Sequence, residues 1–413
     1  MDISALHPGQ AISSVVNAND VHDKPIAFSI ADGRIAGRGL QPAAEDDAKD
    51  GAVDATGWLA LPPMADVHAH IDKAFTWNAA GRPQGTLMDA IHAWFSYSPT
   101  IKDEEIKPRA ERSLRRYIAA GVTALRSHAD FACGGDPLAG IRALVELKHE
   151  YRGMIDLQVV PLVKEGMPDE WVYAAAKLDI DFLGAAPHDT HHPKEELDRI
   201  LDIAEDTGRG TDLHTDETLD PHMLTILDYA RRVKHWEPGR MRSAGHCVSL
   251  SVQQPDELDR ILDVVREAGI SIITNPQTNL YLQGWDQPVA TPRGLAPLKA
   301  IREHGIPLGA GGDNMQDPFN PLGRGDMMEM TELMIEVAHD DPATAYLTAS
   351  VEGRRIMGLE PADLTVGQPA DFVLVKGNYL SEAIAFGAPD RIVVRGGKVI
   401  AVNHMNTELA ACD

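Results

Sequence analysis

Two histidines separated by one alanine, His68 and His70, stand in a run of residues typical of a β-strand, 65–73. Successive side chains on a strand point to opposite faces, so both imidazoles project to the same side. Neutral imidazole is the commonest protein ligand of transition metals. The spacing therefore indicates half of a metal site, which ligands from elsewhere in the chain must complete.

Further polar residues follow apolar runs later in the chain, among them His214, His246 and Asp313. If these runs are strands of one parallel barrel, their carboxyl ends meet at one mouth, where barrel enzymes place their active sites. His68, His70, His214 and Asp313 then supply three imidazoles and a carboxylate. This set suits one divalent transition metal, Zn²⁺ or Fe²⁺, with water in the remaining position.

Three residues are candidates for proton transfer and activation: Glu217, His246 and Asp313. Glu217 follows His214 by three residues, so the chain must turn after the strand for both to reach the site, where Glu217 can shuttle a proton. We expect His246 to polarise the reacting carbon–nitrogen unit or to orient water, and Asp313 to act as a base as well as a ligand. The alternatives are a solvated loop position for Glu217 and a core position for His246.

Three other histidines receive different interpretations. His128 ends the second predicted strand, and we expect it to support the ligands rather than to take part in the chemistry. His191 and His192 lie in a polar segment and are predicted at the surface.

The middle of the chain, 61–361, alternates predicted helices and strands, and glycines repeatedly end a helix just before an apolar run. The predicted strands are 65–73, 122–128, 155–160, 182–186, 211–214, 243–246, 270–275 and 306–310. Eight strand–helix units favour an α/β fold of the (β/α)₈ TIM-barrel type over an open sheet. No glycine-rich phosphate loop follows any of these strands.

Both chain ends are rich in predicted β-structure. Hairpin signals stand at Asp32-Gly33 and at Gly396-Gly397. The predicted strands lie within 27–35, 371–376 and 391–402. We therefore expect a small β-sandwich domain composed of 1–60 with 362–413, beside a catalytic barrel domain of 61–361.

The composition restricts the partners. The formal charge of −24 disfavours nucleic acid and anionic membrane surfaces. Cys133, Cys247 and Cys412 have neither disulfide-framework nor metal-knuckle spacing, which fits a reducing compartment. The first residues lack the basic and apolar regions of a signal peptide, and no apolar run approaches the roughly 20 residues that span a bilayer. We expect a soluble, cytoplasmic protein; whether it forms a homo-oligomer is left open.

Together these residues resemble the amidohydrolase superfamily, specifically its cytosine deaminase-like branch with one metal. The motifs, in chain order, are Leu-Pro-Pro at 61–63, His-Ala-His at 68–70, Arg-Ser-His-Ala-Asp at 126–130, His-Thr-Asp-Glu at 214–217, His246, Asn-Pro-Gln-Thr-Asn at 275–279, Asp-Asn at 313–314 and Asp-Pro-Phe-Asn-Pro-Leu-Gly at 317–323. The segment Ile-Asp-Lys-Ala-Phe-Thr at 71–76 is similar to that of triazine-ring aminohydrolases such as N-isopropylammelide isopropylaminohydrolase.

The resemblance implies a hydrolase of carbon–nitrogen bonds other than peptide bonds, with His68, His70, His214 and Asp313 as metal ligands. It implies deamination of a small N-heterocycle, either a pyrimidine, a triazine or a pterin-like ring. Metal-bound hydroxide would attack the ring carbon that bears the amine. No lysine stands where a carbamylated bridging ligand would, which favours one metal. The alternatives are cyclic amide or lactam hydrolysis at the same site, and a non-catalytic binding protein, which would lack ligands or Glu217.

Three predicted substrate-binding residues depart from the cytosine deaminase pattern. Lys164 stands where those enzymes carry a glutamine, Asn314 replaces a second acid, and Phe319 replaces a tryptophan. A lysine only donates hydrogen bonds, so Lys164 suits a ring that presents a carbonyl or a carboxylate. A solvated surface lysine is the alternative. These changes favour an amino-substituted heterocycle other than cytosine.

Overall fold

A computed structural model describes residues 3–39, 51–131 and 135–410. Its strands are β1 (Ser14–Asn19), β2 (Pro25–Ala31), β3 (Arg34–Gly39), β4 (Ala52–Asp54), β5 (Trp58–Leu61), β6 (Met64–Ala69), β7 (Val122–Asp130), β8 (Asp156–Val163), β9 (Phe182–Ala185), β10 (Gly210–Thr215), β11 (Arg242–His246), β12 (Ser271–Thr274), β13 (Leu308–Ala310), β14 (Phe372–Lys376), β15 (Arg391–Arg395) and β16 (Lys398–Asn403).

The helices surround and connect these strands. They are α1 (Leu87–Tyr97), α2 (Asp103–Ala119), α3 (Ala139–Glu150), α4 (Asp169–Ala176), α5 (Pro193–Thr207), α6 (Thr225–Val233), α7 (Pro255–Glu267), α8 (Pro276–Leu282), α9 (Leu298–Glu303), α10 (Met327–Ala338), α11 (Pro342–Thr348), α12 (Val351–Ile356) and α13 (Leu380–Ala385).

Strands β6 to β13 form one parallel sheet in chain order. The sheet closes between its first and last strands, where Ala69 and Asp313 form a parallel bridge. The Asp313 amide donates to the His68 carbonyl at 2.7 Å, and the His70 amide donates to the Asp313 carbonyl at 3.0 Å. Each of the eight predicted runs overlaps one of these strands, so the predicted (β/α)₈ barrel is confirmed.

The barrel helices pack through the apolar stripes that their sequences predict. In α5 the side chains of Leu197, Ile200 and Leu201 are buried against the barrel. The helix ends at Gly208, whose φ of 69° is the left-handed conformation that glycine adopts without steric cost. The other glycines predicted to end helices also have positive φ: Gly121, Gly153, Gly269 and Gly305.

The two chain ends form a second, mixed sheet of eight strands in the order β16-β15-β14-β5-β1-β2-β3, with β4 paired to β1. Phe28 of β2 and Phe372 of β14 pack edge to face with ring centroids 5.2 Å apart, although β5 and β1 separate their strands. The sheet therefore curls over a common core, which confirms the predicted composite β-domain. Both predicted hairpins, β2–β3 and β15–β16, are present.

The end sheet contacts the barrel at the amino ends of its strands. Arg395 donates to Asp156, the first residue of β8, at 2.6 Å. The buried Arg391 donates at 2.6 Å to the backbone carbonyl of Ala120, which lies just before β7. This side is opposite the mouth at which His68 and Asp313 lie. The domain bounds at 61 and 361 stay a prediction.

In the described part of the chain, no helix is both long enough and apolar enough to cross a membrane.

Candidate active site

Four side chains converge at the mouth of the barrel. His214 Nε2 lies 3.2 Å from His68 Nε2 and 3.1 Å from His70 Nε2. Asp313 Oδ1 lies 3.3 Å from His70 Nε2 and 3.7 Å from His68 Nε2. Four donor atoms arranged tetrahedrally at about 2.0–2.1 Å from a metal ion lie about 3.3 Å from one another. The observed separations fit that arrangement.

The charges of this cluster also fit a cation. Burial, followed by the charges of neighbouring histidines, lowers the pKa of His68, His70 and His214 well below the usual range, and Lys73 adds to the shift at His68 and His70. Their rings are therefore neutral. Burial and then Asp317 raise the pKa of Asp313 well above its usual value. A divalent cation would compensate this buried carboxylate and use the lone pairs of the neutral imidazoles. The residues present therefore fit a divalent transition metal.

The backbone brings the first and last strands of the barrel unusually close at the cluster. A Cβ at Gly311 would lie 2.6 Å from the Cβ of His68 and 2.5 Å from Asn275 Oδ1. Only glycine fits there without displacing His68. Asp313 itself has a φ of 59°, a left-handed conformation that costs a non-glycine residue about 1–2 kcal/mol.

Glu217 and His214 line the same cavity because the chain turns between them. Asp216 has a φ of 52°. Its carboxylate accepts hydrogen bonds from the amides of Thr225, at 2.8 Å, and Ile226, at 3.1 Å, which form the first turn of α6. The turn that the three-residue spacing required is therefore present and is fixed by the next helix.

The three candidates for proton transfer, Glu217, His246 and Asp313, also lie together. His246 Nδ1 is 3.3 Å from Glu217 Oε1 and 4.0 Å from Asp313 Oδ2. Burial, followed by the charges of Asp313 and Asp189, raises the pKa of Glu217 well above its usual range. A carboxyl group with a raised pKa can hold and release a proton near neutral pH.

A cavity of about 330 Å³ opens above the cluster. Helix α1 forms one wall of it with Leu87, Met88, Ile91 and Phe95. Thr86 is the N-cap of this helix, and its side chain and backbone exchange hydrogen bonds with Asp89 in a capping box. The cavity is thus apolar on one side and carries the metal cluster at its base.

The three predicted substrate-binding residues, Lys164, Asn314 and Phe319, all line this cavity. The Lys164 side chain is 22 % exposed, and its Nζ lies over the Phe95 ring at 4.7 Å. It is therefore not a solvated surface lysine. The Asn314 amide donates to Asp317 at 2.8 Å, which orients its side chain.

Sequence reasoning missed a buried ion pair beside the cavity. Lys73 Nζ lies 3.0 Å from Asp130 Oδ2, and both side chains are 2 % exposed. The Trp94 indole donates to the same oxygen at 2.6 Å. Burial alone would raise the pKa of Asp130, but Lys164, Lys73 and Trp94 together lower it to about 2. The available signal was Lys73 itself, the charged residue that ends the predicted strand 65–73.

A second missed residue is His188, which lies after β9 and lines the cavity. Its Nδ1 is 3.2 Å from the His214 carbonyl, which can only accept, so Nδ1 carries the hydrogen. Burial lowers its pKa to about 4. The fourth predicted strand ends in alanines, and the first histidine beyond it would have been the signal.

His128 is completely buried, with its ring centroid 4.4 Å from that of His68. It lies within the same group of possible metal ligands as His68, His70 and His214, so its supporting role stays a prediction. His191 and His192 are exposed.

Three neutral imidazoles, a carboxylate and a second buried carboxyl group lie under one cavity of the closed barrel. These features define a hydrolytic barrel enzyme with a site for a metal. The model of the amidohydrolase family matches residues 78–401, and the chain belongs to that family. The resemblance found in the motifs is confirmed. So is the predicted enzyme class, a hydrolase of carbon–nitrogen bonds other than peptide bonds.

Several relatives match over almost the whole chain. Pterin deaminase of Rhizobium rhizogenes (strain K84) is 31% identical over 387 residues, which are 90% of this chain and 86% of that protein. The crystal structure of 5-methylcytosine deaminase from Klebsiella pneumoniae liganded with 5-fluorocytosine is 26% identical, with a TM-score of 0.85 over 96% of this chain and 99% of the other. N-isopropylammelide isopropylaminohydrolase from Burkholderia multivorans is 25% identical, with a TM-score of 0.78 over 95% and 99%.

Proposed function

We propose that this amidohydrolase is a metal-dependent deaminase of a small, amino-substituted N-heterocycle, a pyrimidine, a triazine or a pterin-like ring. The observation that carries the proposal is the convergence of His68, His70, His214 and Asp313 under a cavity that Glu217 also lines. The names of the relatives, a pterin deaminase, a 5-methylcytosine deaminase and an isopropylaminohydrolase, support it.

The four converging residues are proposed to hold one metal ion, Zn²⁺ or Fe²⁺. Three nitrogens and one carboxylate oxygen suit either ion. When bound, such an ion lowers the pKa of water towards neutrality. The ligand cluster contains no lysine that could bridge a second ion, and Lys73, three residues after His70, is paired with Asp130.

The residues of the chain itself are assigned the proton movements. Glu217, with its raised pKa, takes a proton from the attacking water and delivers it to the nitrogen that leaves. Asp313 accepts the second proton of the water through Oδ2, the oxygen that lies towards His246, and this proton ends on the ring nitrogen beside the reacting carbon. His246 polarises the carbon–nitrogen unit or orients the water. Ammonia or an alkylamine leaves, and a ring carbonyl takes its place.

The substrate is proposed to lie between Lys164, Asn314 and Phe319. Lys164 can donate to a ring carbonyl or carboxylate, and the Phe319 ring can stack on a heterocycle. The cavity of about 330 Å³ leaves room for a ring with substituents. We propose a cytoplasmic enzyme that uses neither nucleic acid nor membrane as a partner.

A panel of aminopyrimidines, aminotriazines and pterins, incubated with metal-loaded protein, tests this function. Release of ammonia or amine from at least one compound is expected, and no release from any compound would contradict the proposal. Cyclic amide or lactam hydrolysis remains the second candidate. It predicts a ring-opened product that has gained one water and has lost no nitrogen.

Glu217→Gln removes the proton-transferring acid but keeps the size of the side chain. We expect kcat to fall about 10²–10⁴-fold with the bound metal retained, because general acid–base groups contribute that much. Kinetic assays measure kcat, and elemental analysis of the same preparation measures the bound metal. Glu195→Gln, the same change on an exposed position of α5, is the control. Unchanged kcat in Glu217→Gln would remove Glu217 from the mechanism.

A further inference from the structure

Asn279, on α8, lies between two residues to which the proposed function gives roles. Its side chain is completely buried. Its Nδ2 lies 3.0 Å from Glu217 Oε1 and 3.0 Å from His246 Nδ1. An amide nitrogen carries two hydrogens, so Asn279 can donate to both groups at once.

The facing atoms of Glu217 and His246, Oε1 and Nδ1, are 3.3 Å apart. Whenever Glu217 is ionised, its carboxylate only accepts hydrogen bonds, and so does an imidazole nitrogen that carries no hydrogen. Two such acceptors repel each other in a buried site unless hydrogens are directed at both. The two hydrogens of the Asn279 amide meet that requirement.

We propose that Asn279 is a positioning residue that donates one N–H to Glu217 and the other to His246, and so fixes which nitrogen of His246 carries the hydrogen. This inference rests on the proposed function, because Asn279 acts only through those two residues.

The position of the hydrogen on His246 follows from the contact. The Asn275 Nδ2 lies almost equally far from Nδ1, at 3.4 Å, and from Nε2, at 3.3 Å, so it favours neither nitrogen. When Nδ1 accepts from Asn279 it carries no hydrogen, and in the neutral ring the hydrogen is then on Nε2. An acceptor in place of the Asn279 amide would draw the hydrogen to Nδ1 instead. The ring would then offer the opposite hydrogen-bonding pattern to its surroundings, a loss known to be severe where a histidine must keep one tautomer.

The first test observes His246 directly and needs no substrate. Nitrogen-15 histidine spectra of the zinc-loaded full-length protein distinguish the two neutral tautomers, and the spectrum of His246→Gln assigns the signal. We expect the hydrogen on Nε2. A hydrogen on Nδ1, or on both nitrogens, would overturn the inference. Because this readout is independent of turnover, the inference and the proposed function can fail separately.

The second test uses Asn279→Asp, which keeps the shape of the side chain and removes both donors. On whichever heterocycle of the panel is turned over, we expect kcat to fall at least tenfold, with KM within threefold and metal content unchanged. Asn279→Ser, which has a single hydroxyl donor, should lie between that variant and the unmodified protein. It also provides the measurement if Asn279→Asp does not fold.

The matched control is Asn378→Asp, the same change of amide to acid at an exposed position after β14, away from the cavity. Its kcat should stay within threefold of the unmodified protein. Either a kcat loss of less than tenfold in Asn279→Asp, or an equal loss in Asn378→Asp, would overturn the inference.

Discussion

We expect the Lys164 side chain to decide which heterocycles the enzyme accepts as substrates. Lys164→Gln replaces a group that only donates by one that both donates and accepts. We expect kcat/KM for cytosine to rise at least tenfold relative to a heterocycle that bears a carboxylate, a shift of about 1.4 kcal/mol. Competition assays with the two substrates measure it. Lys194→Gln, on the surface of α5, is the control, and an unchanged preference in Lys164→Gln would contradict this assignment.

Asp130 predicts a pH dependence of stability. Its pKa is about 2 in the folded protein, below the usual 3.8, so its stabilising contribution is complete well above pH 4 and is lost as the pH falls towards 2. The pH-dependent part of the contribution of Asp130 to the free energy of unfolding is about 2 kcal/mol. The difference in Tm between the unmodified protein and Asp130→Asn should therefore be largest at pH 7 and shrink below pH 4. A difference that does not change with pH would contradict this.

Residues with local signals could be predicted from the sequence, and residues defined by distant contacts could not. His68 and His70 reveal themselves by strand spacing, and Lys164 by a departure from a motif. Asp130 matters because Lys73 and Trp94, from two other elements, reach one of its oxygens. Asn279 matters because α8 brings it between Glu217 and His246. Neither set of contacts, that of Asp130 or that of Asn279, can be recognised as a pattern in the sequence.

At the scale of elements, the turn between β10 and α6 is expected to control the placement of Glu217. Asp216→Ala removes the carboxylate that caps α6 through Thr225 and Ile226. We expect a loss of about 1–3 kcal/mol in stability, with kcat reduced and the metal retained. Thermal unfolding and kinetics of the variant test this.

The control for that turn is Asp341→Ala, because Asp341 caps α11 in the same way, by accepting from the Thr344 amide at 3.1 Å, outside the cavity. It should lose stability without losing kcat. Equal kcat values for Asp216→Ala and Asp341→Ala would show that the turn does not position Glu217.

Element types were more predictable than their functional consequences. The periodic apolar runs and the helix-ending glycines predicted all eight barrel strands, because burial on both faces of a parallel strand leaves a clear signal. Strand ends differ by up to four residues, as for the predicted 65–73 and the observed Met64–Ala69. That α1 forms a wall of the cavity depends on packing between distant segments, which local periodicity does not encode.

At the scale of the whole molecule, the two ends of the barrel have separate tasks. The composite end sheet is bound at the amino ends of the strands through Arg395 and Asp156. The opposite mouth is left to the ligands, the cavity and α1. A division of this kind allows substrate-binding loops to change without loss of the barrel core.

The central claim is that His68, His70, His214 and Asp313 hold one metal ion on which activity depends. Elemental analysis of the purified chain, of His214→Ala and of the control His235→Ala, an exposed histidine outside the cavity, measures it most directly. We expect one equivalent of a divalent transition metal in the unmodified protein and in the control, and loss of both metal and amine release in His214→Ala. Two equivalents per chain, or full metal content in an active His214→Ala, would contradict the account.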